Sequence, residues 1–366
     1  QYALNSSTLF ENGVKDGEYL FDHDTATIEY TAKTPKPKVS LLRNFSAPVN
    51  LEFNYSDEEL AFLLQYETNG FNQWQATQTL LERILLNGHD AQVYVKAIKQ
   101  TLPLVIAKDP LLASRLFDVP SEGYLASRID TDYNPIVVKE TRDALLNKLA
   151  NELGNFAKET YTDLDPIAQN EFSQAMGVRA LKNIMLSFMA RQGDADVFDL
   201  AYEQYQNTGN MSERLGALKV LVWNNAPQAQ DVLQDFYNRF KDEALSMDQW
   251  FMIQAAHPKA TLETIKYLTT HTDYDLGVPN RIRAVSGGLN ANPVNAWGFG
   301  VQHFLDLAKY LDEKNPIVGS RLLQVLTRWY TLAEPQRSEV KAALEALKSQ
   351  VKSKNVSETL NSMLSI

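Results

Sequence analysis

The sequence predicts a mainly α protein: an irregular α-solenoid of stacked antiparallel helix pairs, preceded by a small β-sandwich remnant. Residues 1 to about 53 carry short β-rich runs separated by turn signals. From Ser56 onward, apolar residues recur at helical spacing in one run after another. The connections are short and hold Pro, Gly, Asn or Asp, which favours antiparallel neighbours. We find no fixed repeat period, and the predicted domains are residues 1–53 and 54–366.

The β-rich segment contains two turn signals, Asn12-Gly13 and Asp16-Gly17. Predicted strands include Thr25–Thr31, Val39–Leu42 and Val49–Phe53, the first of them with strict alternation. A sheet this small is marginally stable alone. We therefore expect the last strands of a larger sandwich.

The first helix begins at Ser56-Asp-Glu-Glu59, a capping box in which the Ser hydroxyl and Glu59 satisfy first-turn amides. Leu60, Leu63 and Leu64 then share one face, and Gly70 is expected to end the helix. A second apolar stripe begins at Trp74, and Asn87-Gly88 is expected to end the helix that carries it. The further predicted helices span residues 91–102, 136–161, 171–190, 197–206, 212–223, 229–240, 248–256, 262–270, 280–289, 301–312, 318–332, 335–350 and 357–364.

Composition excludes several classes of protein. The net charge of −10 and the absence of long Lys/Arg runs argue against a nucleic-acid partner. The chain has no Cys, which excludes disulfides, thiolate zinc sites and cysteine nucleophiles. No run approaches 18 apolar residues, so we expect no membrane partner and a cytoplasmic protein. Because the chain begins with Gln1, we expect a piece of a longer polypeptide.

The sequence holds no self-contained catalytic constellation. None of its five His residues lies in H-E-x-x-H, and none has a second His within five residues. There is no G-x-S-x-G elbow and no Walker loop. We predict no catalytic residue, no metal ligand and no cofactor in this chain.

Two segments are less ordinary, because each places Arg early in a helix that follows Pro-Asn or Asn-Pro. In Pro279-Asn-Arg-Ile-Arg283, the two Arg residues lie about 200° apart on a helix, so only one can face inward. The second segment is Asn315-Pro-Ile-Val-Gly-Ser-Arg321. A guanidinium in a cleft suits a carboxylate or a peptide carbonyl. The alternative is a structural ion pair with one of the 45 acidic residues.

Several segments, in this order, resemble the C-terminal region of bacterial aminopeptidase N, a gluzincin metallopeptidase family. They cover nearly all of residues 39–366: Leu41-Leu-Arg-Asn-Phe-Ser-Ala-Pro-Val49, Asn54-Tyr-Ser-Asp57, Arg179-Ala-Leu-Lys-Asn183, Asn210-Met-Ser-Glu213, Ser246-Met-Asp-Gln-Trp-Phe-Met-Ile-Gln-Ala255, Thr261-Leu-Glu-Thr264, Pro279-Asn-Arg-Ile-Arg-Ala284, Asn315-Pro316, Ser320-Arg321-Leu322 and Lys341-Ala-Ala-Leu-Glu-Ala-Leu347.

The resemblance implies that residues 1–53 end a β-sandwich and that residues 54–366 form the helical C-terminal domain. The zinc ligands and the general base would lie in an upstream catalytic domain of the same polypeptide. The helical domain would enclose the active-site cavity, with Arg283 and Arg321 facing the primed side of a bound peptide. One stretch departs from the family: after Asn292-Pro293, the Phe-His and Asp-Gly-x-Gly-Tyr elements are missing.

Two functions are therefore compared. The first is the non-catalytic C-terminal part of a zinc aminopeptidase that removes N-terminal amino acids from peptides. The second is an independent helical scaffold that binds a protein partner, since a fold alone does not imply a function. The unfinished sheet at the N-terminus favours the first.

Overall fold

The computed structural model describes residues 2–10, 13–21, 38–49, 51–164, 172–193 and 195–365. The predicted mainly α solenoid class is confirmed, and a small sheet comes before the helices. The strands are β1 (Tyr2–Phe10), β2 (Gly13–Phe21) and β3 (Lys38–Leu41). The α-helices are α1 (Asp57–Tyr66), α2 (Gly70–Asn87), α3 (Ala91–Lys108), α4 (Pro110–Arg115), α5 (Glu122–Ser127), α6 (Pro135–Asp163), α7 (Phe172–Arg191), α8 (Ala195–Asn207), α9 (Met211–Trp223), α10 (Ala229–Phe240), α11 (Ala244–Ala255), α12 (Leu262–Thr269), α13 (Pro279–Asn290), α14 (Pro293–Trp297), α15 (Gly300–Lys314), α16 (Pro316–Leu323), α17 (Gln336–Lys348) and α18 (Lys354–Leu364).

The sheet is antiparallel, with the strand order β2-β1-β3. Phe10 lies opposite Gly13, and Ser6 pairs with both Gly17 and Leu41. Asp16-Gly17 is therefore part of a strand and not a turn, because its backbone is paired with β1. The predicted strand Thr25–Thr31 lies outside the described residues. That the sheet belongs to a larger sandwich stays a prediction.

The predicted strand at Val49–Phe53 is wrong for the residues that the structure describes there. Residues 49 and 51–53 are irregular, and Leu51 and Phe53 are about half exposed. The backbone bonds of this segment are local: Val49 N–H donates to Ala47 and Tyr55 N–H to Phe53. A β-rich composition forms a strand only where a neighbouring strand pairs with it.

The chain divides into two compact units, residues 1–120 with 145–192 and residues 121–144 with 193–366. In the first unit, the predicted capping box at Ser56 is present, and Leu60 and Leu64 are buried. Helix α1 ends at Tyr66, and Gly70 begins α2 instead of ending α1, because the Asn69 side chain caps α2. The predicted end of α2 at Gly88 is confirmed, with a left-handed φ of 70°.

Close backbone packing joins α4 and α7 in the first unit. A Cβ added at Gly177 would lie 2.3 Å from the backbone nitrogen of Leu111.

The sequence predicted neither α4 nor α5, both only six residues long, because such short helices carry little periodicity.

In the second unit, the predicted helix 318–332 ends early, at Leu323, and two 3-10 turns follow. A tertiary contact keeps the chain out of a helix beyond these turns. Tyr133 N–H donates to Thr331 O at 2.7 Å, and Ala333 N–H donates to Tyr133 O at 3.0 Å. These bonds pair the extended residue Leu332 with Tyr133, directly after the 3-10 turn that ends at Thr331.

Candidate functional site

The two arginines of α13 lie in opposite environments, as their spacing requires. Arg281 is 8% exposed; its Nη1 lies 3.5 Å from Asp248 Oδ1, and its guanidinium carbon lies 4.8 Å from the Phe251 ring centroid. Arg283 is exposed, and its Nη1 donates to Asn280 Oδ1 at 2.9 Å. Arg281 therefore forms the structural ion pair, with Asp248. In the described part of the chain, the hydrogen-bond partner of Arg283 is a neutral amide, that of Asn280.

Arg321 is carried by α16, a short helix whose start is well defined. Pro316 occupies the first turn, and the Asn315 side chain accepts from Val318 N–H at 3.3 Å. Arg321 is exposed and makes no hydrogen bond or ion pair within the described ranges. Because α16 ends at Leu323, Arg321 lies in its last turn. The positive potential of a helix N-terminus thus does not extend to Arg321.

Arg283 and Arg321 line one cleft of about 210 Å³, which we call the arginine cleft. Arg283, Ser286, Gly287 and Asn290 share a face of α13, because their spacing is i, i+3, i+4 and i+7. The full lining is Ile282, Arg283, Ser286, Gly287, Asn290, Val318, Arg321, Leu322 and Val325. Ser286 was not predicted; it is 3% exposed, and its Oγ lacks a hydrogen-bond partner among the described residues.

A second cleft of about 380 Å³, the methionine cleft, lies on an adjacent face of α13. Local patterns in the sequence do not indicate this cleft, because its walls come from three separate helices. The lining residues are Met211, Leu245, Ser246, Asp248, Gln249, Met252, Asn280, Arg283 and Ala284. Arg283 is shared by the two clefts.

Other candidate features lie away from these clefts. Trp297, in the stretch that departs from the family, is 9% exposed, and its carbonyl accepts from Gln336 Nε2 at 2.7 Å. In the part of the chain that the structure describes, no three His, Asp or Glu side chains are grouped as a metal site requires. No helix within the described ranges combines the length and apolarity needed to cross a membrane.

The stacked helices define a helical protein of the ARM-repeat class. The chain belongs to the family described as "Domain of unknown function (DUF3458_C) ARM repeats", whose model matches residues 57–365.

The chain is also similar to curated and solved aminopeptidases, which confirms the predicted resemblance. It is 32% identical over 331 residues to aminopeptidase N of Escherichia coli, covering 86% of this chain and 38% of that protein. It is 28% identical to aminopeptidase N of Haemophilus influenzae, covering 92% of this chain and 41% of that protein. The chain thus spans about two fifths of the curated relatives it matches.

A crystal structure of Legionella pneumophila aminopeptidase A, solved in complex with aspartic acid, has a TM-score of 0.85 and 25% identity. That likeness covers 100% of this chain and 45% of the solved chain.

Proposed function

We propose that the chain is the non-catalytic C-terminal part of a zinc aminopeptidase, a hydrolase that removes N-terminal amino acids from peptides. In this proposal residues 1–53 end a β-sandwich, and residues 54–366 form a helical domain that encloses the active-site cavity. Zinc and the catalytic groups belong to an upstream domain of the same cytoplasmic polypeptide. The relatives support this assignment, since all of the curated ones described above are aminopeptidases.

One observation carries the proposed role of the site: Arg283 and Arg321 line one cleft, and no carboxylate pairs with either within the described residues. An unpaired guanidinium on a protein of net charge −10 is suited to bind an anionic or carbonyl group from outside. The downstream carboxylate of a short peptide is such a group. The role is to position the peptide, and bond cleavage takes place elsewhere.

The upstream catalytic domain is the proposed partner, and unit one offers apolar surface for it. Phe45 is 57% exposed, Tyr66 58% and Phe71 37%. The Phe45 and Phe71 rings lie 5.3 Å apart, centroid to centroid. Contiguous exposed apolar surface is typical of a contact region.

The test is Arg321→Ala in a polypeptide that joins this chain to the catalytic domain. We expect the Michaelis constant for di- and tripeptides to rise about tenfold to a hundredfold, because a hydrogen bond to a charged group is worth roughly 1.5–3 kcal/mol. Aminoacyl arylamides lack the downstream carboxylate and should be affected much less. Steady-state kinetics on both substrate types measures the difference.

Arg115→Ala is the matched control, because Arg115 is exposed, pairs with Asp118 and lines neither cleft. The Arg115→Ala variant should leave the Michaelis constants for both substrate types unchanged. Equal losses on peptides and arylamides in the Arg321 variant would assign Arg321 a structural role and contradict the proposal.

A further inference from the structure

We infer that the methionine cleft is a second peptide subsite, which takes an apolar residue of substrates longer than tripeptides. The inference rests on the proposed function and adds a substrate class to it. Its geometric basis is Arg283, which lines both clefts from α13. A peptide bound along the arginine cleft therefore meets the methionine cleft where the two clefts adjoin at Arg283.

The walls of the methionine cleft are suited to an apolar side chain. Met211, Met252 and Leu245 line it, and Leu245 is 75% exposed although it lies in a cleft. Methionine side chains are flexible and polarizable, so they adapt to ligands of different shape. The volume of about 380 Å³ falls within the range of small-molecule sites.

The charges of the cleft favour a neutral occupant. Asp248 is the acidic residue of the lining, and Arg281 lies 3.5 Å from it, so its charge is already offset. Arg283 donates to Asn280, which leaves the amide nitrogen of Asn280 as a donor. Together with Gln249, these groups can bind main-chain amides while the apolar walls bind the side chain.

The position of the methionine cleft favours longer substrates. The two clefts adjoin at Arg283, and Met252 Cε of the methionine cleft lies 4.0 Å from the position of a Cβ at Gly287 in the arginine cleft. An extended peptide advances about 3.3 Å per residue. A tripeptide that occupies the arginine cleft therefore needs further residues to place a side chain in the methionine cleft.

The experiment is isothermal titration of the full 366-residue chain with three peptides. They are trialanine, a hexapeptide of five alanines and a C-terminal leucine, and the same hexapeptide ending in serine. We expect the leucine hexapeptide to bind about fivefold to tenfold more tightly than the serine hexapeptide, as burial of about half of one aliphatic side chain in an open cleft implies. Leu245→Ser should remove this preference and leave trialanine binding unchanged.

Leu104→Ser is the matched control, because Leu104 is also 75% exposed and lines neither cleft. It should keep the preference for leucine. If trialanine binds but the two hexapeptides bind equally, or if Leu245→Ser keeps the preference, the second subsite is refuted while the proposed function stands. If none of the three peptides binds, the second subsite is refuted, while the proposed function is decided by the kinetics of the Arg321→Ala variant in the joined polypeptide.

Discussion

At the scale of single residues, the arginines of α13 show how two identical side chains acquire different roles. Arg281 is buried beside Asp248 and Phe251, whereas Arg283 is exposed and hydrogen-bonded to an amide. A buried guanidinium needs a partner, because removing either member of the pair leaves an uncompensated charge. Arg281 is therefore a structural residue, and Arg283 is available to a ligand.

This difference predicts the stabilities of two variants. Arg281→Ala should lower the free energy of unfolding by about 1–3 kcal/mol, since it removes a buried side chain and leaves the half-buried Asp248 without its partner. Arg283→Ala should change it by less than about 0.5 kcal/mol, as expected for an exposed side chain. Urea unfolding followed by circular dichroism measures both. Similar losses in the two variants would contradict the assignment.

At the scale of the elements, α13 is central, because it packs on α11 and carries Arg283, the residue common to both clefts. The contact with α11 is close: a Cβ added at Gly288 would lie 2.7 Å from Met252 O and 2.8 Å from Ala255 Cβ. At the neighbouring Gly287, the nearest atom would be Met252 Cε at 4.0 Å. Gly288 thus permits close packing of the two helices, because it has no side chain to separate them.

Gly288→Ala should therefore destabilise the protein by about 1–3 kcal/mol, because the added methyl meets backbone that cannot move aside. Gly287→Ala, one residue away, should be neutral or stabilising by up to about 1 kcal/mol through higher helix propensity. Thermal unfolding of the two variants tests this. A stable Gly288→Ala variant would mean that α11 and α13 pack less closely than described.

At the scale of the whole molecule, the chain is a helical protein with two clefts in its second unit and no grouped metal ligands among the described residues. Positioning a peptide needs only shape and charge. Zinc-dependent hydrolysis needs a ligand set and a general base. The proposal therefore gives binding to this chain and cleavage to the upstream domain.

The purified chain should accordingly show no hydrolysis of alanine p-nitroanilide, with or without added zinc. The reason is that none of its five His residues has a second His within five positions. Absorbance of released nitroaniline and metal analysis after dialysis are the measurements. Stoichiometric zinc together with chelator-sensitive turnover would contradict the proposal.

The sequence by itself determined the features that depend on local chemistry. The capping box at Ser56, the left-handed end at Gly88 and the opposite faces of Arg281 and Arg283 all follow from spacing within one or two helical turns. The helical class follows from the spacing of apolar residues along the chain, because each helix buries one stripe of them.

Only the tertiary structure decided features in which residues distant along the chain meet. The extended conformation of Leu332 depends on Tyr133, and the irregular path of residues 51–53 depends on the lack of a pairing strand among the described residues. The arginine cleft joins Arg283 to Arg321, and the methionine cleft joins Met211 to Met252 and Arg283. Spacing along one helix cannot show these contacts, because they are set by how α9, α11, α13 and α16 pack.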